Sequence, residues 1–214
     1  MGITFAYNIG EPDINFLRAK IEPGSIVYDV GANVGRYTLH LSETVGETGQ
    51  VIALEPVKNL TTILKQNIEM NEIENTVLIP AAAAEENGAA DFAYSPEDST
   101  LGMLEDPLPS SYQPPGTGTV EVQTVQLDEV AKEMGVAPDV IKLDVQGAAG
   151  PALRGAEHIL EVHEPDIYVE LHVQEEQQAV QDELLDRGYA AKDVEGKVIE
   201  DPTDHWVNPL WCTK

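Results

Sequence analysis

The stretch from Ile26 to Thr44 constrains this chain most, because an apolar run, Ile26 to Val30, breaks at Gly31 and resumes beyond Gly35 as an amphipathic segment carrying Tyr37, Leu39 and Leu41. That is a short buried strand passing through a tight glycine loop into a helix. About twenty residues on, Gln50 to Glu55 repeats the strand pattern and ends in an acid, the offset expected of a βαβ unit. Further strands are predicted over 76–82, 140–144, 166–171, 189–194 and 206–212. Helices are predicted over 12–20 (within a leading segment 1–24), 59–71, 150–162 and 175–187. Asn59 is read as a helix cap rather than a glycosylation site. Such alternation predicts an α/β three-layer sandwich with a parallel sheet covered on both faces. The 214 residues suffice for one domain, 1–214.

The loop Gly31-Ala32-Asn33-Val34-Gly35 has the spacing G-x-N-x-G and not the G-x-G-x-x-G of a pyrophosphate-binding turn. Asp29, at the end of the first strand, would repel a pyrophosphate and attract an ammonium or sulfonium group. S-adenosylmethionine carries both cations. A carboxylate at Glu55 is placed to accept ribose hydroxyls. These residues predict a phosphate-free nucleoside cofactor.

Composition narrows the partners. The chain has 38 acidic residues against 12 basic ones, a net charge of −26. The acids are spread evenly, 17 in residues 1–107 and 21 in 108–214, so no acidic tail accounts for the charge. Nucleic acid is a poor partner for such a surface. Self-repulsion of this size is screened at high salt, which points to a halophilic source, with an ordinary acidic protein as the alternative. Cys212 is the single cysteine, which excludes an intrachain disulfide and a thiolate metal site. No membrane span or secretory signal is apparent, and a cytoplasmic location is expected.

A second constellation lies at Ile141 to Ala148, where Lys142 and Asp144 share one strand face and the run ends in Gly147. Glu170 and His172 share a face in the next predicted strand. Each pair could act on a substrate or merely satisfy a structural network. Leu153, Ala156, Ile159 and Leu160 form an apolar helix face assigned to the core. Residues 95–119 hold five prolines and three glycines and are expected to form a loop or lid near the reactive end of the cofactor. On either side of it, 89–94 and 120–124 are expected to pair as a hairpin.

Together these motifs resemble the FkbM-like family of class I S-adenosylmethionine-dependent methyltransferases. Asp29, Gly31, Ala32, Asn33, Gly35, Tyr37 and Thr38 follow its D-x-G-A-N-x-G-x-Y-T loop. Ile141 to Ala148, Leu153-Arg154-Gly155-Ala156, Pro165, Glu170 and His172 follow its I-K-x-D-V-E-G-A-E, L-R-G-A, P and E-x-H elements. The resemblance covers about residues 25–172 and implies a Rossmann-like sheet, mostly parallel and seven-stranded, with an antiparallel C-terminal strand. It implies O-methylation of a small molecule, sugar or lipid-linked glycan. Asp29, Gly31, Asn33, Gly35, Tyr37, Thr38, Glu55 and Ala83 would bind the cofactor. Asp144 would orient the acceptor with Lys142 tuning it, and Glu170 or His172 would be the base; at an ordinary value near 6.5, His172 is the better base at neutral pH. Gln146 and Ala149 stand where the family has Glu. Two charges are therefore missing, no metal is expected, and a non-catalytic cofactor-binding or scaffold protein is the alternative. A nicotinamide oxidoreductase would use a similar sheet, but the loop and Asp29 speak against it.

Overall fold

The computed structural model describes residues 12–94, 102–104, 118–204 and 206–214. Helix α1 (Pro12–Lys20) leads into β1 (Ile26–Val30), α2 (Arg36–Val45), β2 (Gln50–Leu54), α3 (Lys58–Met70) and β3 (Thr76–Ile79). There follow β4 (Ala82–Ala83), β5 (Gly88–Tyr94), β6 (Gly102–Leu104), β7 (Gly118–Val125), α4 (Leu127–Met134) and β8 (Val140–Leu143). The chain ends with α5 (Ala149–Arg154), β9 (Asp166–Val169), α6 (Gln174–Val180), β10 (Ala190–Lys192), β11 (Val198–Ile199) and β12 (Leu210–Thr213).

The main sheet runs β11-β10-β12-β9-β8-β1-β2-β3. All seven predicted main strands are in it, and β11 adds an eighth. The core pairs β9-β8-β1-β2-β3 are parallel, whereas the C-terminal β12 inserts antiparallel between β9 and β10. Alternation along the strands separates two apolar layers. Val27, Val51, Val140 and Tyr168 pack with Ile14 and Leu17 of α1 and with Leu41 of α2. Tyr28, Val30, Ile52, Leu54, Ile141 and Leu143 pack on the other side with α4, α5 and α6. The face formed by Leu153, Ala156, Ile159 and Leu160 is core, as expected.

Three local expectations are corrected. The strand expected over 76–82 stops at Ile79, because Pro80 offers no N–H to the ladder, and Ala82–Ala83 join a second sheet, β4-β7-β5-β6. Asn59 lies inside α3, whose N-cap is Val57. The helix expected over 150–162 ends at Arg154. A Cβ on Gly155 would lie 2.0 Å from the carbonyl oxygen of Ala84, so this glycine permits the helix end to touch β4. The chain turns there and restarts with the N–H groups of His158 and Ile159 donating to the Asp128 carboxylate, a cap supplied from α4. Beyond α6 the helix continues through a wider π-type turn at Gln181–Leu185.

The predicted hairpin is present: β5 and β7 pair antiparallel, with Ala90 opposite Val122 and Phe92 opposite Val120. Within the segment expected to be a loop, Gly102–Leu104 pairs with β5. The rest of that loop, 95–101 and 105–117, lies outside the described residues, as does 1–11 of the leading segment. Among the described residues no helix is long and apolar enough to cross a membrane.

Acidic side chains crowd the few bases. Arg187 alone has Glu183, Glu161 and Glu157 at 3.1, 3.2 and 3.7 Å. Exposed pairs of this kind contribute little individually, and the excess negative charge is left to the solvent to screen. Raising KCl from about 0.1 M to about 2 M is therefore expected to increase the melting temperature by on the order of 5 °C or more, followed by calorimetric or fluorescence melting. An unchanged or lower melting temperature would mean that charge repulsion does not limit this fold.

Candidate active site

A cleft of about 300 Å³ opens at the carboxyl ends of β1, β2 and β8, bounded by the second sheet. This is the position where open parallel sheets bind ligands, and its size is at the lower end for such sites. A larger depression of about 830 Å³, around Ile26, Glu43 and Gly49 at the other end of α2, shares little with it. Of the residues predicted from the sequence, Gly31, Asn33, Tyr37, Glu55, Ala83, Lys142 and Asp144 line the cleft. Asp29, Gly35, Thr38, Glu170 and His172 do not.

The glycine loop closes onto itself. Gly31 and Ala32 N–H groups donate to Leu54 O at 3.0 and 2.9 Å, and Gly35 N–H donates to Ala32 O at 2.8 Å. Asn33 N–H donates to Glu55 Oε2 at 2.9 Å, and Val34 N–H donates to Asn33 Oδ1 at 2.7 Å. With its donors thus engaged, the loop is no cradle for phosphate, which needs free N–H groups. Gly31 has φ +79°, and a Cβ there would lie 1.9 Å from Asp144 O, so the loop rests directly on the chain leaving β8.

Glu55 is held at the loop's edge, its Oε1 accepting Val57 N–H at 2.8 Å. Burial pushes its carboxyl up to about 7, against the opposing pull of these two N–H groups. Next to it Val57, Leu60, Ala82, Ala148 and Phe92 make an apolar cluster. They form a slot in which an aromatic base would be enclosed. Phe92 and Val57 carry no site signal in the sequence beyond the alternation Ala90-Asp91-Phe92, which marks one face of the hairpin. Gln146 also lines the cleft, with a buried Oε1 that has no hydrogen-bond partner in the protein. A ligand N–H or O–H would satisfy it.

Asp29, expected to face a ligand cation, is one layer behind the residues that line the cleft. It is 0% exposed, with Lys142 Nζ 3.0 Å from Oδ1 and Thr38 Oγ1 donating to Oδ2 at 2.6 Å. Lys142 is thus first the counter-ion of Asp29; its ammonium also donates to Gly31 O at 3.0 Å, lies over the Tyr37 ring and reaches Asp144 Oδ2 only at 3.8 Å. Burial alone would lower the Lys142 ammonium, but Asp29 and Asp144 outweigh it and the net shift is upward. Lys142 stays a cation.

Behind Asp144 lie the other two candidates. Tyr37 donates to Glu170 Oε1 at 2.7 Å. Burial and then Asp144 raise the Glu170 carboxyl against that hydrogen bond. His172 Nε2 is 3.4 Å from Asp144 Oδ1, and Nδ1 is 3.6 Å from Glu176 Oε2. Burial would lower the imidazole, yet Glu176, Asp144 and Glu170 raise it above its ordinary value. Asp144, Glu170 and His172 bring one donor atom each within 4.8 Å of one another, a set that could accept a cation. Lys142, Tyr37 and Glu176 already face those same side chains from within the protein. Glu176, 1% exposed, is a third residue that the sequence reading does not single out. Its signal is its place as third residue of α6, from which a Glu reaches back to the helix start.

Comparison with known proteins places this geometry. Residues 29–191 match the model of the Methyltransferase FkbM domain. The 31-O-demethyl-FK506 methyltransferase FkbM of Streptomyces tacrolimicus is 29% identical over 199 residues, covering 76% of this chain and 75% of that protein. A probable cobalt-precorrin-6B C(15)-methyltransferase of Sulfurisphaera tokodaii is 28% identical over 137 residues, 59% of this chain and 70% of its own length. Among solved structures, a methyltransferase FkbM from Methylobacillus flagellatus superposes with a TM-score of 0.60 at 16% identity, over 94% of this chain but only 50% of that one. Aeropyrum pernix fibrillarin, solved with natively bound S-adenosyl-L-methionine, gives 0.55 at 14% identity, over 94% and 73% of the two chains. At such identities the structures speak for the fold.

The Asp29–Lys142 pair makes a discriminating test. Asp29→Ala leaves a buried ammonium without its partner and is expected to cost about 3–5 kcal/mol in urea unfolding. Full stability with lost ligand affinity would instead return Asp29 to the cofactor site.

Proposed function

The chain belongs to the FkbM methyltransferase domain family of S-adenosylmethionine-dependent enzymes, and from that premise we propose that it moves the sulfonium methyl group to a hydroxyl oxygen of a small molecule, sugar or lipid-linked glycan. The observation that carries the reading is a glycine loop whose N–H groups are all engaged, with the Glu55 carboxylate fixed at its edge. A ligand with ribose hydroxyls and no phosphate suits that edge; a nicotinamide dinucleotide does not. Gly31, Asn33, Gly35 and Tyr37 shape the methionine end, Glu55 takes the ribose, and Ala83 with Phe92 encloses the base. Asp29 and Thr38 act from behind, by anchoring Lys142.

The reaction asks little bond-making of the protein. An acceptor oxygen attacks the methyl carbon in line, the C–S bond breaks with its electron pair going to sulfur, and the hydroxyl proton leaves to a base. Asp144 is the cleft residue placed to receive an acceptor hydroxyl. Of the two candidate bases His172 is favoured, since Glu170 already accepts a hydrogen bond from Tyr37. The Lys142 ammonium stands 3.8 Å from Asp144 Oδ2. The acids absent at Gln146 and Ala149 leave this arrangement intact.

Two outcomes test the reading. Asp144→Ala is expected to keep S-adenosylhomocysteine affinity within about threefold while lowering turnover by about 100-fold or more, measured by calorimetry and by methyl transfer to a panel of hydroxylated acceptors. Normal methylation by this variant would remove Asp144 from the reaction. Cofactor affinity should also depend on pH. Glu55 accepts ribose hydroxyls best as the anion, and its carboxyl is raised to about 7, so affinity rises with pH through about 7 and then levels. Below that point it falls by up to about tenfold per unit. A flat profile between pH 5.5 and 8.5 would assign the ribose elsewhere.

A further inference from the structure

Glu176 has no place in the reaction described above, yet it is the most heavily used carboxylate in the site. Its Oε1 accepts Gly147 N–H at 2.6 Å and Ala149 N–H at 3.4 Å; its Oε2 accepts His172 N–H at 2.6 Å and Val173 N–H at 3.3 Å. It thereby ties the turn after β8, which carries Asp144, to the turn after β9, which carries His172. The first turn lacks acids at 146 and 149, and Glu176 brings one to it from α6. The same Oε2 lies 3.6 Å from His172 Nδ1, longer than a hydrogen bond but closed by a small ring rotation.

We propose that Glu176 is a positioning residue that keeps the proton of the neutral His172 ring on Nδ1, so that Nε2, facing Asp144, is the atom freed to take the acceptor proton. It rests on the methyl-transfer reading. The charged groups facing the ring are Glu176 from its own helix, Asp144 from the turn after β8 and Glu170 from the end of β9. Asp144 and Glu176 contend for the ring proton from opposite sides. The Asp144 side chain is 25% exposed and can turn to water or to an acceptor hydroxyl, whereas Glu176 is 1% exposed and pinned by backbone N–H groups. The pinned anion therefore keeps the proton. A carboxylate behind a histidine fixes tautomer and ring orientation in hydrolytic and metal sites by the same physics.

The experiment is ¹⁵N NMR of imidazole-labelled protein without ligand, with His172→Asn identifying the resonance. Above its titration, wild-type His172 is expected as the Nδ1–H form. Glu176→Gln presents an amide N–H₂ to Nδ1, and the ring is expected to switch to the Nε2–H form with its titration moved down. Cofactor affinity should hold within about threefold and kcat fall by about 100-fold. Glu176→Asp, which retains the charge, should keep the Nδ1–H form. A wild-type ring protonated on Nε2, or no switch in a folded Glu176→Gln protein, overturns the proposal; should that variant not fold, the wild-type and Glu176→Asp tautomers decide it. The tautomer needs no acceptor. Failure of methyl transfer with the tautomer as expected would therefore count against the reaction and not against Glu176.

Discussion

The buried Asp29–Lys142 ion pair is the constraint on which the site depends. The two residues are direct partners in the parallel register of β1 and β8, so their side chains leave the sheet on the same face. Removing both charges from water is costly, and the cost is offset by their mutual attraction and by two further contacts: Thr38 to Asp29, and Gly31 O to Lys142. Those bonds pin the end of β1, the start of α2 and the carbonyl of the glycine loop to one ammonium. The loop that faces the cofactor and the strand that delivers Asp144 are thereby set relative to each other.

From that anchor the site divides into two chemical halves. The cofactor half is nearly closed on itself, with donors engaged, Glu55 fixed and an apolar slot from the second sheet. The other half is a chain of carboxylates and one imidazole, Glu170, Asp144, His172 and Glu176, brought together by the turns after β8 and β9 and by α6. Burial of Glu170 and the carboxylates around His172 raise these two groups above their ordinary values.

Legibility in the sequence followed the range of the interaction. The strand, glycine loop and helix at 26–45 were readable because their signals are contiguous, and Glu55 because a βαβ unit fixes its offset. The break at Gly155 was not, since it arises where the helix end meets the Ala84 carbonyl, some seventy residues earlier in the chain. Phe92 was readable as one face of a hairpin but not as a wall of the cleft. Glu176 was one acid among 38, and only its contacts distinguish it.

The sequence by itself determined the alternation of strands and helices, the phosphate-free character of the loop, and the residue types gathered near the carboxyl ends of the strands. These depend on backbone permissiveness and two- or 3.6-residue periodicity, which are local properties. Tertiary structure alone decided what each polar group faces. It turned Asp29 inward to Lys142, gave Glu170 to Tyr37, and set Glu176 behind His172. Such assignments follow from burial and from partners brought together across the sheet, because a charge removed from water must take whatever counter-charge or hydrogen bond the fold places beside it.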